Sequence, residues 1–208
     1  MRTPSWASTP WLTRERLAEA GVPEPRYRVA TAAGEAARLA RELGYPLVVK
    51  PGDGWGSVNT RLVRDEAELR EHFRVLASAS YSFGIRPSGE VLLEELVEGP
   101  LVSIETLTRG GMHEVLGITD RILGGRPFFV ELGGSFPAEV PGGDEAVGAA
   151  LRALDAIGFD YGPAHTEVVL SKDGPKIIER RARSSIRPSK VPSARRATPP
   201  RSGRGPGR

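Results

Sequence analysis

The sequence predicts an α+β chain folded as two lobes. Helical and strand patterns alternate over residues 11–90, where apolar positions at three- and four-residue spacing separate short β-branched runs. From Val91 onward the pattern turns to strands, interrupted by one long helix beginning at Asp144. Between the two regimes lies a connection rich in turn formers, residues 80–90, with Gly84, Pro87 and Gly89. We therefore expect a leader at 1–10, a small lobe at 11–90, a large lobe at 91–183 and a basic, disordered tail at 184–208.

In chain order, Thr9 as N-cap, Pro10 at the first helical position, and Gly21 and Pro23 beyond the end outline a helix over Pro10–Ala20. Tyr27-Arg28-Val29 reads as a brief strand. Thr31 is expected to cap a second helix whose Ala36, Leu39, Ala40 and Leu43 form one face, stopped by Gly44 and Pro46. Leu47-Val48-Val49-Lys50 reads as a buried strand, followed by a Gly-rich loop and a strand through Val63. Asp65 with Glu68 resembles a capping box for a helix carrying Leu69, Phe73, Val75 and Leu76. Strands are expected at Val91–Val97, Leu101–Arg109, Met112–Thr119 across a Gly110-Gly111 turn, and Phe128–Leu132. The helix from Asp144 to Ile157 is expected to turn Val147, Leu151 and Leu154 inward.

The last hairpin is the most informative stretch. Ala164–Ser171 and Pro175–Glu179 flank Lys172-Asp173-Gly174, which suggests a three-residue loop pairing Ser171 with Pro175. That register sets Glu167 opposite Glu179 on one face, about 5 Å apart. Such a pair persists if one carboxylate is protonated, a basic side chain bridges them, or a cation lies between them. Oxygen-only ligands favour Mg²⁺ or Mn²⁺ over zinc. Two solvated glutamates on an exposed face are the bland alternative.

Charge is unevenly distributed. Residues 180–208 hold ten of the 29 lysines and arginines and none of the 26 acidic residues, so residues 1–179 carry 19 basic against 26 acidic groups, a balance of −7. An acidic body argues against a nucleic-acid-binding fold and confines any such activity to the tail. The chain has no cysteine, which excludes a disulfide framework and thiolate metal sites and fits a reducing compartment. No apolar run approaches membrane-spanning length and the N-terminus lacks a signal pattern, so we expect a cytoplasmic protein without membrane contact.

The loop Pro51-Gly52-Asp53-Gly54-Trp55-Gly56-Ser57 offers backbone N–H groups that can approach phosphate oxygens, because Gly52, Gly54 and Gly56 lack side chains. Ser57 adds a hydroxyl. A flexible hairpin turn explains the same glycines. Lys50, at the end of an apolar strand, needs a partner if buried, and an anionic ligand would supply one.

Taken together, Leu17–Pro23, Tyr45–Pro51, Leu93-Glu94-Glu95, Val102–Glu105, and Gly162–Glu167 with Ile178-Glu179 resemble the ATP-grasp superfamily, and within it the carboxylate–amine ligases that join amino acids. The resemblance spans about residues 11–183. It implies an ATP-grasp fold whose lobes clamp ATP, with Lys50 and loop 52–57 on the phosphates and the backbone of Glu94, Glu95, Leu96 and Val97 holding adenine. It further implies that Glu167 and Glu179 hold Mg²⁺ and that Arg183 steadies an acyl phosphate. The implied substrates are a small-molecule carboxylate and an amine, amino acids by analogy; a homo-oligomer is compatible.

Several positions depart from the family. Asn is usual two residues after the second glutamate, where this chain has Arg181. The early lysine falls on Pro10, and a frequent ribose-binding acid on Leu101. Where relatives have Glu-x-Gly-His, this chain has Glu131-Leu132-Gly133-Gly134. Family members extend further at both ends, and we read the break after Glu179 as a frameshift ahead of a naturally shortened protein. Two other readings stand beside an active ligase core: a nucleotide-binding remnant without turnover, and an interaction protein whose basic tail binds nucleic acid. His72 and His113 read as surface or packing residues, His165 as a group near substrate, and Arg121 and Arg126 as loop arginines able to meet a carboxylate.

Overall fold

The computed structural model describes residues 10–52, 57–78 and 88–182. The first segment gives α1 (Pro10–Glu19), β1 (Tyr27–Ala30), α2 (Ala33–Leu43) and β2 (Leu47–Pro51). There follow β3 (Arg61–Val63), α3 (Glu66–Ser78), β4 (Val91–Glu95), β5 (Leu101–Arg109), β6 (Met112–Asp120), β7 (Ile122–Leu123) and β8 (Glu131–Gly133). The chain continues through α4 (Gly143–Ala156), β9 (Tyr161–Ser171) and β10 (Gly174–Ala182). The predicted α+β class is observed.

Two four-stranded sheets, both antiparallel, carry the two cores. The first has order β1-β4-β2-β3 and is covered by α2 and α3. Ala36, Leu39, Ala40 and Leu43 meet Leu47, Val49, Val63 and Leu93 there, and these buried apolar side chains supply the main driving force of the lobe. The second sheet has order β10-β9-β5-β6. Against it pack α4 and, from the first segment, Leu17 and Val22. Although early in sequence, α1 thus belongs partly to the second core.

The helix ends differ in detail from expectation. The N-cap of α2 is Ala32, without a side-chain cap. Thr31 lies one residue too early, and its N–H and hydroxyl instead donate to Glu35. At α3 the capping bond runs from the Glu68 N–H to Asp65 Oδ1 at 2.8 Å, and the return bond comes from the N–H of Arg64. In α4 the buried face is Ala146, Ala149, Ala150, Ala153 and Leu154, whereas Val147 and Leu151 are only half-buried. Small side chains let this helix lie close on the sheet, so its inward stripe is alanine where the sequence reading favoured the larger residues.

Two strands are shorter than expected. β4 stops at Glu95, and residues 96–100 cross between the sheets, where the Leu170 N–H donates to the Pro100 carbonyl. Only Glu131–Gly133 of the second region is strand, paired with β7, while Phe128, Val130 and Leu132 stay exposed. Without a sheet face to bury Phe128 and Val130, the apolar alternation does not make a strand there, and Phe128 forms only an isolated bridge to Arg61.

Candidate active site

The carboxylate pair is formed, by a different route from the one counted. The turn holds two residues: Gly174, at φ 106°, pairs with Ser171. In that register Glu167 would face Ile178. A bulge between Ile177 and Glu179 absorbs the extra residue and brings Glu179 opposite Glu167. Glu167 is buried and Glu179 half-buried. Two facing carboxylates suit a hard divalent cation, which usually draws its remaining ligands from water and substrate phosphates. Among the described residues no group of three or more His, Cys, Asp or Glu side chains is arranged to hold a metal ion, so the pair fits a cation shared with a bound ligand better than a fully protein-enclosed metal.

Glu167 already has cationic neighbours. Across β5–β9, Ser103 pairs with Glu167 and Glu105 with His165, which puts all four in one sheet. His165 Nδ1 lies 2.8 Å from Glu105 and its Nε2 3.4 Å from Glu167. These bonds, the Glu105 one foremost, push the His165 pKa up to about 9. Arg121, leaving β6, sends Nη1 to Ser103 Oγ at 2.8 Å and to Glu167 at 3.4 Å, and Nη2 to Glu131. As an imidazolium His165 has no lone pair for Arg121. The two cations approach to 3.1 Å because Glu105, Glu131 and Glu167 surround them. Arg121 is therefore an enclosed site residue rather than an exposed loop arginine, whereas Arg126 pairs with Glu98 at the surface.

On the other sheet Lys50 is paired by protein. Its Nζ is 2.7 Å from Glu94 and 3.4 Å from the Ile178 carbonyl. Arg14 of α1 reaches the same two groups and also Glu24 at 3.4 Å. The partner expected from an anionic ligand is thus supplied, in this state, by Glu94, whose side chain is almost fully buried. The bulge at Ile178 leaves its carbonyl outside the regular ladder, where the two cations take it up.

Burial pushes Glu24 up to about 7, with Arg14 opposing and Glu94 adding to the rise. A carboxyl raised in the folded state contributes stability that is full below about 4.5 and lost as pH rises to about 7. Glu24→Gln is expected to flatten that part of the pH–stability curve and to leave the variant more stable than wild type at pH 8, by on the order of 2 kcal/mol. Urea unfolding at pH 5 and pH 8 measures this, and equal pH dependence in both proteins would refute it.

The remaining predicted residues fall as follows. Gly52 is tightly placed: a Cβ there would sit 3.0 Å from Glu90 Cβ, and the Gly52 N–H donates to the Glu90 carbonyl. Ser57 is exposed in a turn, at φ 60°. Gly54, Gly56 and Arg183, like the predicted tail and leader residues 1–9, lie outside the described residues. Glu95 ties the sheets together through Lys176 at 2.6 Å and also holds Arg26. Leu96 and Val97 occupy the crossing segment. At Gly134, where the resembling ligases have His, a Cβ would lie 2.2 Å from the Asp120 carbonyl, so this backbone excludes that side chain. His72 is a packing residue bonded to the Asn59 carbonyl, and His113 bridges Thr108 and Asp155. Sequence reasoning gave no role to Arg14, which no local pattern marks, nor to Glu105, although Val102–Glu105 is one of the stretches that carry the resemblance.

Two antiparallel sheets joined by a short crossing, a lysine on one and facing carboxylates on the other, define an ATP-grasp fold. The chain belongs to the ATP-grasp domain family, which matches residues 43–185. It is 40% identical over 168 residues to the uncharacterized protein y4rH of Sinorhizobium fredii, covering 80% of this chain and 34% of that protein. The L-amino acid ligase from Bacillus licheniformis superposes with a TM-score of 0.70 at 30% identity, over 85% of this chain and 40% of that one. The biotin carboxylase domain of Hydrogenobacter thermophilus 2-oxoglutarate carboxylase, in complex with MgADP, ADP and bicarbonate, gives 0.69 at 25% identity, over 86% and 40%. The chain thus spans about a third of y4rH and two fifths of each of these solved chains.

Proposed function

We propose that this chain is the catalytic core of an ATP-dependent carboxylate–amine ligase, taking Mg-ATP between its sheets. The observation that carries the reading is the facing of Glu167 and Glu179 across β9 and β10, beside a bulge whose carbonyl contacts Lys50 of the other sheet. The magnesium would lie on those two carboxylates and neutralise charge on the phosphates. Lys50 would leave Glu94 for a phosphate, Gly52, Gly54, Gly56 and Ser57 would close over the phosphates, and the backbone of Glu94–Val97 would meet adenine. Arg183 would steady an acyl phosphate that an amine then attacks. Catalysis of this kind is mainly positioning and charge neutralisation. The solved neighbours named as an L-amino acid ligase and as a domain holding MgADP support the ligase and magnesium-nucleotide parts. Amino acids as both substrates, and a cytoplasmic setting, belong to the same proposal. Among the described residues no helix is long and apolar enough to cross a membrane.

Thermal unfolding with ATP alone, Mg²⁺ alone and both together tests it. The expected result is stabilisation that needs both, about 2.7 kcal/mol at a hundredfold excess over Kd, and that disappears in Glu167→Gln. Equal response to ATP with and without Mg²⁺ would remove the metal pair from the reading. No response at all would remove the nucleotide.

A further inference from the structure

We propose that Arg121 is a displaceable counter-cation of the metal site: its guanidinium holds Glu167 in the metal-free protein and is driven off toward Glu131 when a divalent cation binds. The inference rests on the reading of Glu167 and Glu179 as a metal pair.

Three observations carry it. The guanidinium spans two carboxylates, with Nη1 3.4 Å from Glu167 Oε1 and Nη2 on Glu131. Its side chain is 11% exposed, yet its Nε is buried and makes no hydrogen bond in the described structure. Buried donors are usually satisfied, so this guanidinium sits on its carboxylates with one donor unspent. Finally, Arg121 Nη1 and His165 Nε2 both lie 3.4 Å from Glu167 Oε1. A divalent cation taking that oxygen, in a poorly solvated place, competes directly with the guanidinium that occupies it.

His165 is the better anchored of the two. Its Nδ1 lies 2.8 Å from Glu105, a carboxylate outside the proposed metal pair. Arg121 has somewhere to go, because Glu131 lies on the short strand β8 with its side chain half exposed, and Ser103 Oγ offers a second acceptor at 2.8 Å. The long arginine side chain can therefore swing without unfolding the sheet that holds Glu167.

The test is Mn²⁺ binding to the full chain without nucleotide, read from the electron paramagnetic resonance signal of free Mn²⁺. Arg121→Gln removes the competitor and is expected to tighten Mn²⁺ binding by roughly threefold to tenfold. Arg121→Lys keeps the charge but cannot span both carboxylates, and is expected to tighten it less; this variant serves if Arg121→Gln fails to fold by circular dichroism. Arg126→Gln removes an equal charge from the same segment, away from Glu167, and is expected to change affinity less than about twofold. Unchanged or weaker binding in both Arg121 variants, where Glu167→Gln abolishes binding, overturns this inference and leaves the metal pair standing. Tightening by Arg126→Gln equal to that by Arg121→Gln also overturns it, in favour of general electrostatics. Absence of Mn²⁺ binding from wild type and all variants overturns both the inference and the metal pair.

Discussion

Glu94→Ala is expected to destabilise the protein by roughly 3–5 kcal/mol, the range for breaking a buried ion pair from one side. Glu94 is 3% exposed and accepts from both Arg14 and Lys50. Truncating it leaves two cations in a pocket where the Ile178 carbonyl and the protonation-prone Glu24 are the remaining acceptors. Loss of the carboxylate also withdraws a group that raises the Glu24 pKa, so Glu24 is expected to ionise more readily and recover part of the loss. The measurement is the urea midpoint of Glu94→Ala against wild type at pH 5 and pH 8, with the smaller loss at pH 8. A change under about 1 kcal/mol at both values would show the cluster to be solvated in solution.

Gly99→Ala is the second large effect, expected at roughly 2–5 kcal/mol. Gly99 sits in the crossing segment at φ 149°, a region that L side chains rarely adopt. A Cβ there would lie 2.1 Å from the Leu170 carbonyl oxygen and 2.8 Å from its carbon, and both belong to the backbone of β9. Neither can step aside as a flexible side chain could. Gly110→Ala is the control, since Gly110 is also at positive φ, 60°, but has open space around it. Its cost is expected near 1 kcal/mol. A Gly99→Ala variant as stable as Gly110→Ala would mean that the segment does not dock on β9 in solution.

Much of the scaffold was legible because local pattern and burial agree. Leu47–Val49 is a continuous apolar run and forms a central strand; Gly44, Gly110 and Gly111 stop their elements at positive φ. Opposition of Glu167 and Glu179 was legible from counting, although the turn was read one residue too long. Pro175-Lys176-Ile177-Ile178 carries no mark of a bulge, so two one-residue errors cancelled. The charge cluster was not legible. Arg14 follows Trp11 and Leu12 on α1 with nothing in its neighbours to mark it as buried, and its partner Glu94 is 80 residues away. Arg121 likewise follows a strand and precedes glycines, as a surface arginine would; only the return of β8 encloses it beside Glu167. Long-range ion pairs between lobes have no periodicity to read.

The turn and the bulge of the last hairpin differ in how they bear a change of length. A residue added to the Lys172-Asp173 turn would lengthen the loop and leave Ser171 paired with Gly174, so Glu179 would stay opposite Glu167. Deletion of Ile178 would also keep the two glutamates in register, but it would remove the carbonyl that Arg14 and Lys50 share. Between turn and bulge, in residues 174–177, a single insertion or deletion would move Glu179 out of phase with Glu167 and turn the following alternation over. The hairpin thus bears length change at its tip, loses its tie to the opposite sheet at the bulge, and loses the carboxylate pair in between.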